Sequence, residues 1–205
     1  VPLLDEERVE FSKLPFNEHR YRNELGAPGL FGESGYTTLE RVWARPTFEV
    51  NGFRSGFTGT GAKTVIPAVA MAKVSMRLVP DQDPGTVGDQ LEAYLTKVAP
   101  TTVEVSLTRM HSGFPWMTDI DNRFVQAAGR AIEVGFGRKP VFNREGLSIP
   151  VVATFQNIFG LPTVLFGIGL PNENAHAPNE KLDLLNFHGG VIATAALYDE
   201  IGQLR

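Results

Sequence analysis

The sequence predicts a fold of mixed class, an α+β region followed by an α/β region, and three observations carry that expectation. From Ala68 to Val79 the residues alternate. Ala70, Ala72, Val74, Met76 and Leu78 fall on one side and Lys73, Ser75 and Arg77 on the other, the period of a half-buried strand with a polar face. Asp83-Pro84 then opens a helical repeat of Val87, Leu91, Tyr94, Leu95 and Val98 that stops at Pro100. A strand beside a helix describes an antiparallel sheet covered on one face. Beyond residue 120, helical patterns alternate with the all-apolar run Thr163 to Gly169, the pattern of a parallel strand covered on both faces.

The other elements follow in order. Residues 1 to 35 mix Pro, Gly and charge around short helical patches at Asp5 to Leu14 and Asn17 to Leu25, and read as a surface excursion rather than core. Thr47 to Val50 and Phe53 to Thr58 flank Asn51-Gly52, the signal of a type I′ hairpin. Gly56, Gly59 and Gly61 are spaced too irregularly for a phosphate cradle. Val103, Val105 and Leu107 predict another strand, and the boundary between the two halves is placed near His111-Ser112-Gly113.

In the second half, Asp121 can cap a helix with Phe124, Val125, Ala128, Ile132 and Phe136 on its apolar face, ended by Gly137. A short strand at Val141 and Phe142 leads to the turn Glu145-Gly146-Leu147-Ser148. Pro150 opens a helix with Val151, Val152, Phe155 and Phe159 inward, closed by Gly160. After the apolar strand comes a polar loop around His176, then an amphipathic helix through Val191, Ala195, Tyr198 and Ile201.

Composition excludes several classes of function. The 205 residues are 42% hydrophobic and 20% charged with a net charge of -4, an ordinary globular balance without a basic footprint for nucleic acid. The longest apolar runs are too short to span a bilayer, so no membrane partner is expected and the cytoplasm is the expected location. With no cysteine, disulfides and thiolate metal sites are excluded, and any metal must be held by His and carboxylates.

His176 lies in Pro171-Asn172-Glu173-Asn174-Ala175-His176-Ala177-Pro178-Asn179-Glu180, directly after the apolar strand. In open α/β sheets ligands gather outside the carboxyl ends of strands. Glu173, Asn174, Asn179 and Glu180 could orient its second ring nitrogen. Spacing alone favours a hydrogen-bonded loop histidine, because no second His stands at metal-ligand spacing. His111, at the inferred boundary, is evenly balanced between a turn residue and a cleft residue. His19 and His188 read as solvated. Ser148 sits in a near match to a nucleophile elbow, but Pro150 replaces its final glycine. A carboxylate held by Ser148 and the free amides of the next helix is the better use of the turn. Arg77 could pair with a substrate carboxylate or form a plain surface ion pair. Thr64 is uninformative alone.

Five ordered segments together resemble a known family: Trp43-Ala44-Arg45-Pro46-Thr47-Phe48-Glu49-Val50-Asn51-Gly52, Thr64-Val65-Ile66-Pro67, Met76-Arg77-Leu78-Val79-Pro80, Arg144-Glu145-Gly146-Leu147-Ser148-Ile149-Pro150 and Asn174-Ala175-His176-Ala177-Pro178-Asn179-Glu180. The family is that of the dinuclear zinc peptidases related to cytosolic nonspecific dipeptidase, carnosinase, acetylornithine deacetylase and succinyl-diaminopimelate desuccinylase. The likeness is strongest to the dipeptidase branch and runs over nearly all of residues 36 to 205.

The resemblance implies that residues 1–111 are the later part of a lid and dimerisation domain, and 112–205 the C-terminal part of the catalytic domain. It implies hydrolysis of dipeptides or N-acyl amino acids by a homodimer using two zinc ions, with manganese or cobalt as alternatives. His176 matches a zinc ligand. His111 matches a catalytic position, and Thr64, Arg77 and Ser148 match substrate contacts, Thr64 serving the neighbouring subunit's site. The departures are large. The family's His-x-Asp motif, bridging Asp and Glu-Glu pair have no counterpart, so the chain is expected to be inactive and to hold no zinc tightly by itself. Leu147 also replaces a usual glycine. A non-catalytic module for dimerisation or peptide-carboxylate binding is the alternative.

Overall fold

Helix boundaries follow their local caps. The structure, a computed structural model, describes residues 1–145 and 149–204. The elements are α1 (Asp5–Ser12), α2 (Glu18–Leu25), α3 (Thr38–Ala44), β1 (Glu49–Ser55), β2 (Ala70–Ser75), α4 (Pro84–Val98), α5 (Arg123–Phe136), α6 (Pro150–Phe159) and α7 (Leu184–Gly202). Asn17 caps α2 by accepting from the Arg20 N–H at 2.9 Å, and Gly26 ends it at φ 64°. Asp83 caps α4 by accepting from the Thr86 N–H at 2.7 Å, with Pro84 at its first position as expected. The cap of α5 is Asn122 rather than Asp121: its side chain accepts from the Phe124 N–H at 2.9 Å. Gly137 and Gly160 end α5 and α6 in the left-handed region.

The chain divides into two compact units. One comprises Val1–Leu3, Asn17–Pro115 and Arg144–Pro150; the other comprises Leu4–Phe16, Trp116–Asn143 and Val151–Arg205. In the first, α3 is an element the apolar pattern misses. Its signal is a capping box, in which the Glu40 N–H donates to Thr37 Oγ1 at 3.3 Å and the Thr37 N–H to Glu40 Oε2 at 2.6 Å. Thr38 Oγ1 donates to Glu18 Oε1 at 2.6 Å, tying α3 to α2. The Arg45 guanidinium grips Glu33 through two hydrogen bonds of 2.7 and 2.9 Å. That pairing holds the Glu33 carboxyl below its ordinary value.

β1 and β2 form an antiparallel ribbon, the one sheet among the described residues. Asn51-Gly52 does not turn the chain. Val50 pairs with Val74 and Gly52 with Lys73, so Asn51 is the extra residue of a bulge within a continuous β1. The ribbon's second strand comes from beyond the loop 56–69. All of β2 is exposed, so the half-buried strand is not found, nothing being packed over either face enough to cover it. Val103 to Leu107 likewise has no ladder partner among the described residues.

In the second unit α5 packs on α7 through small residues. Ala127, Ala128 and Ala131 of α5 and Gly189, Gly190 and Ala193 of α7 are buried. A Cβ added at Gly135 would lie 2.4 Å from the Gly189 carbonyl oxygen and 2.6 Å from Ala193 Cβ, so the two backbones meet here. Arg130 and Glu200 form an ion pair between the same helices at 2.7 Å. The expected inward face of α7 is corrected, since Val191, Tyr198 and Ile201 are exposed. On α6, Val152 and Ala153 are buried while Val151, Phe155 and Phe159 are exposed. Phe11 of α1 is buried, so part of the leader contributes to a core.

The mixed α/β class holds, but no parallel ladder forms among the described residues, and neither Val141-Phe142 nor Thr163 to Gly169 is a strand. The latter has no regular secondary structure and is held by Thr118 Oγ1 donating to the Thr163 carbonyl at 2.8 Å and Asn186 Nδ2 donating to that of Ile168 at 2.8 Å. No helix among the described residues is long and apolar enough to cross a membrane.

Candidate functional site

The loop between the extended run and α7 places His176. Pro171 leaves the apolar segment, and Asp183 starts α7 by accepting from the Leu185 and Asn186 N–H groups at 2.9 and 3.1 Å. Between them the chain closes on Glu173. Its N–H donates to the Leu170 carbonyl at 3.2 Å and its own carbonyl accepts from the Lys181 N–H at 3.0 Å. Its side-chain Oε1 accepts from the Asp183 N–H at 3.3 Å. At the tip, the Ala177 N–H donates to the Asn174 carbonyl at 2.9 Å.

This loop concentrates backbone strain. Four non-glycine residues among those described have positive φ, and three lie here: Asn174 at 57°, His176 at 62° and Asn179 at 62°. Asparagine and histidine are both enriched in that region, which still costs an L-residue on the order of 1 kcal/mol. His176 is exposed. Among the described residues no hydrogen bond joins its ring to Glu173, Asn174, Asn179 or Glu180, which corrects the expected orienting contact. A cavity of about 370 Å³ opens at the loop's base between Leu170, Glu173, Lys181, Asp183 and Leu184.

The remaining candidates lie in the first unit. Arg77 follows β2, half-buried, and its backbone extends the ribbon: the Thr47 N–H donates to the Arg77 carbonyl at 3.1 Å and the Arg77 N–H to Thr47 Oγ1 at 3.4 Å. Thr64 is exposed in the loop 56–69, and His111 is exposed in the segment before Pro115. Ser148 and its turn lie outside the described residues. Glu173 as the tie closing the loop has no signal in the sequence, because its side-chain partner stands ten positions ahead and no local motif marks it.

A zinc centre requires three or four donors. Among the described residues no group of three or more His, Cys, Asp or Glu converges to hold a metal ion. The donors described here therefore do not amount to a metal centre, and His176 stands as a single imidazole.

Comparison with known proteins gives the class. The chain belongs to peptidase family M20/M25/M40, whose family model matches residues 25–200. It is thus part of a family of hydrolases that cut peptide and related bonds. Its relatives include the Cys-Gly metallodipeptidase dug1 of Schizosaccharomyces pombe, 38% identical over 75% of this chain and 33% of that protein. The human Beta-Ala-His dipeptidase is 31% identical over 100% of this chain and 41% of its own length. Among solved structures, an M20 family metallo-carboxypeptidase from Sulfolobus solfataricus superposes with a TM-score of 0.82 at 27% identity, covering 96% of this chain and 45% of that one. Human carnosine dipeptidase 1 does so at 0.79 and 31%, covering 100% and 44%. The chain spans about a third to 45% of the length of these relatives.

Proposed function

We propose that this chain is the substrate-side portion of a metal-dependent dipeptidase, supplying His176 as one ligand of a metal centre whose other donors belong to a preceding part of the parent protein. The observation that carries this reading is His176 itself. Within a motif shared in order with four others, it is the one histidine held at positive φ in a loop closed at its base. The metal would be zinc, with manganese or cobalt as alternatives, and the substrate a dipeptide or N-acyl amino acid. The donors among the described residues do not by themselves assemble that centre.

The chain's own residues have definable tasks in this proposal. Arg77 offers a guanidinium fork that matches a substrate carboxylate in bidentate geometry. Ser148 and Thr64 supply hydroxyl groups for substrate, Thr64 from the neighbouring subunit of a homodimer. His111 supplies an imidazole N–H that strengthens its hydrogen bond as negative charge develops on the scissile carbonyl oxygen. Residues 1–111 then act as the later part of the lid and dimerisation domain, and 112–205 close the catalytic domain of a cytoplasmic enzyme.

A second reading is a non-catalytic dimerisation or carboxylate-binding module. It is favoured by the exposed β1–β2 ribbon and by the absence of a three-donor cluster among the described residues. The DNA upstream of the Val1 codon separates the two. The dipeptidase reading expects an open frame encoding a His-x-Asp motif and a Glu-Glu pair. A start codon and ribosome site directly upstream would instead establish the module.

A further inference from the structure

We propose that Glu173 is the positioning residue that presets the His176 imidazole, a role that rests on reading His176 as the functional group of this loop. Each of its three polar handles closes the loop at a different point: the N–H to Leu170, the carbonyl to Lys181, and Oε1 to the Asp183 N–H. The last contact fixes the loop to the residue that caps α7, so the excursion 174–180 is anchored to the helix start. Gly169 belongs to the same device, because a Cβ there would stand 2.8 Å from Glu173 Oε2. The carboxylate thus lies between Gly169, where a side chain would push it aside, and a backbone N–H.

A closed base is what the strained tip requires. Released, His176 would relax from φ 62° toward negative φ and its ring would swing away from its present direction. Glu173 acts on His176 through the backbone, with no hydrogen bond between the two side chains among the described residues, so its loss misdirects the imidazole while leaving it chemically intact.

NMR of the isotopically labelled 205-residue chain tests this directly. At positive φ the amide and α protons of one residue are close, so His176 gives a strong intraresidue amide–α cross-peak. Glu173→Ala removes only the carboxylate tie, so it should weaken that peak and speed amide exchange at Asp183 by about tenfold, while Lys181, held by the backbone carbonyl of residue 173, α5 and the middle of α7 keep their protection. Glu173→Gln, which keeps the Oε1 acceptor, should restore both signals. Glu173→Asp, one methylene shorter, should not. An unchanged His176 peak in Glu173→Ala, or failure of the glutamine variant to restore it, overturns the proposal. Should Glu173→Ala not fold, Gly169→Ala serves in its place: release of the loop supports the role and an unaltered loop overturns it. These signals report the backbone alone. A His176→Ala variant with lost metal binding but an intact base would leave the clasp standing, and a failed clasp would leave the ligand assignment standing.

Discussion

Asp83 shows how much a single side chain sets at this molecule's surface. Its carboxylate accepts from the Thr86 N–H at the start of α4, and that bond holds its pKa below the ordinary aspartate value of about 3.9. A group lowered by folding stabilises the fold above its unfolded pKa and loses that contribution as pH falls through its folded value. The first turn of α4 should therefore loosen in acid, below about pH 4. Asp83→Asn keeps a good cap without the titration, so its α4 amides should exchange independently of pH there once the intrinsic rate is corrected. Parallel acid-induced loss in both proteins would contradict this. Such caps were legible in advance, as Asp83-Pro84, Gly137 and Gly160 were, because a cap depends on residues within one turn. His176 was legible as a candidate residue within an ordered motif. Its φ and its Glu173 clasp were not, since they arise from bonds across the whole loop.

Helices and strands differ in the same respect. The helices after Asp83, near Asp121 and after Pro150 lie close to where periodicity placed them, and the apolar face expected of α5 is buried or half-buried, while those expected of α6 and α7 are largely exposed. Packing chose small residues instead. Gly135, Gly189 and Ala193 allow α5 and α7 to approach until backbone meets backbone, and this leaves the larger Val191 and Tyr198 outside. Gly135→Ala should consequently lower the urea midpoint. Overpacking of this kind costs about 1–3 kcal/mol, against a gain of about 1 kcal/mol in helix propensity. A midpoint equal to or above the parent's would show that the helices can separate freely. Strands were the weaker expectation because a ladder needs a distant partner. Asn51-Gly52 satisfied a local hairpin rule, yet β1 pairs with β2 across the loop 56–69 and absorbs Asn51 as a bulge. Thr163 to Gly169 has the composition of a buried parallel strand yet joins no ladder among the described residues.

At the scale of the molecule, the surface is larger than the chain's mass explains. It exposes 15638 Å², where a folded monomer of 22.4 kDa exposes about 9,000 Å². Leu184, Leu185, Val191 and Ile192 of α7 stand in solvent on a helix that is apolar on nearly every side, the composition of a buried helix. This agrees with a chain spanning 33% of the fission yeast relative and 41% of the human one. The surface and the coverage point the same way, and no group of three or more His, Cys, Asp or Glu among the described residues converges to hold a metal ion. The metal content of the purified chain after equilibration with zinc and dialysis tests that claim most directly. The account predicts far less than one zinc per chain, because a lone imidazole holds the ion weakly. One or two tightly retained zinc ions per chain would contradict it.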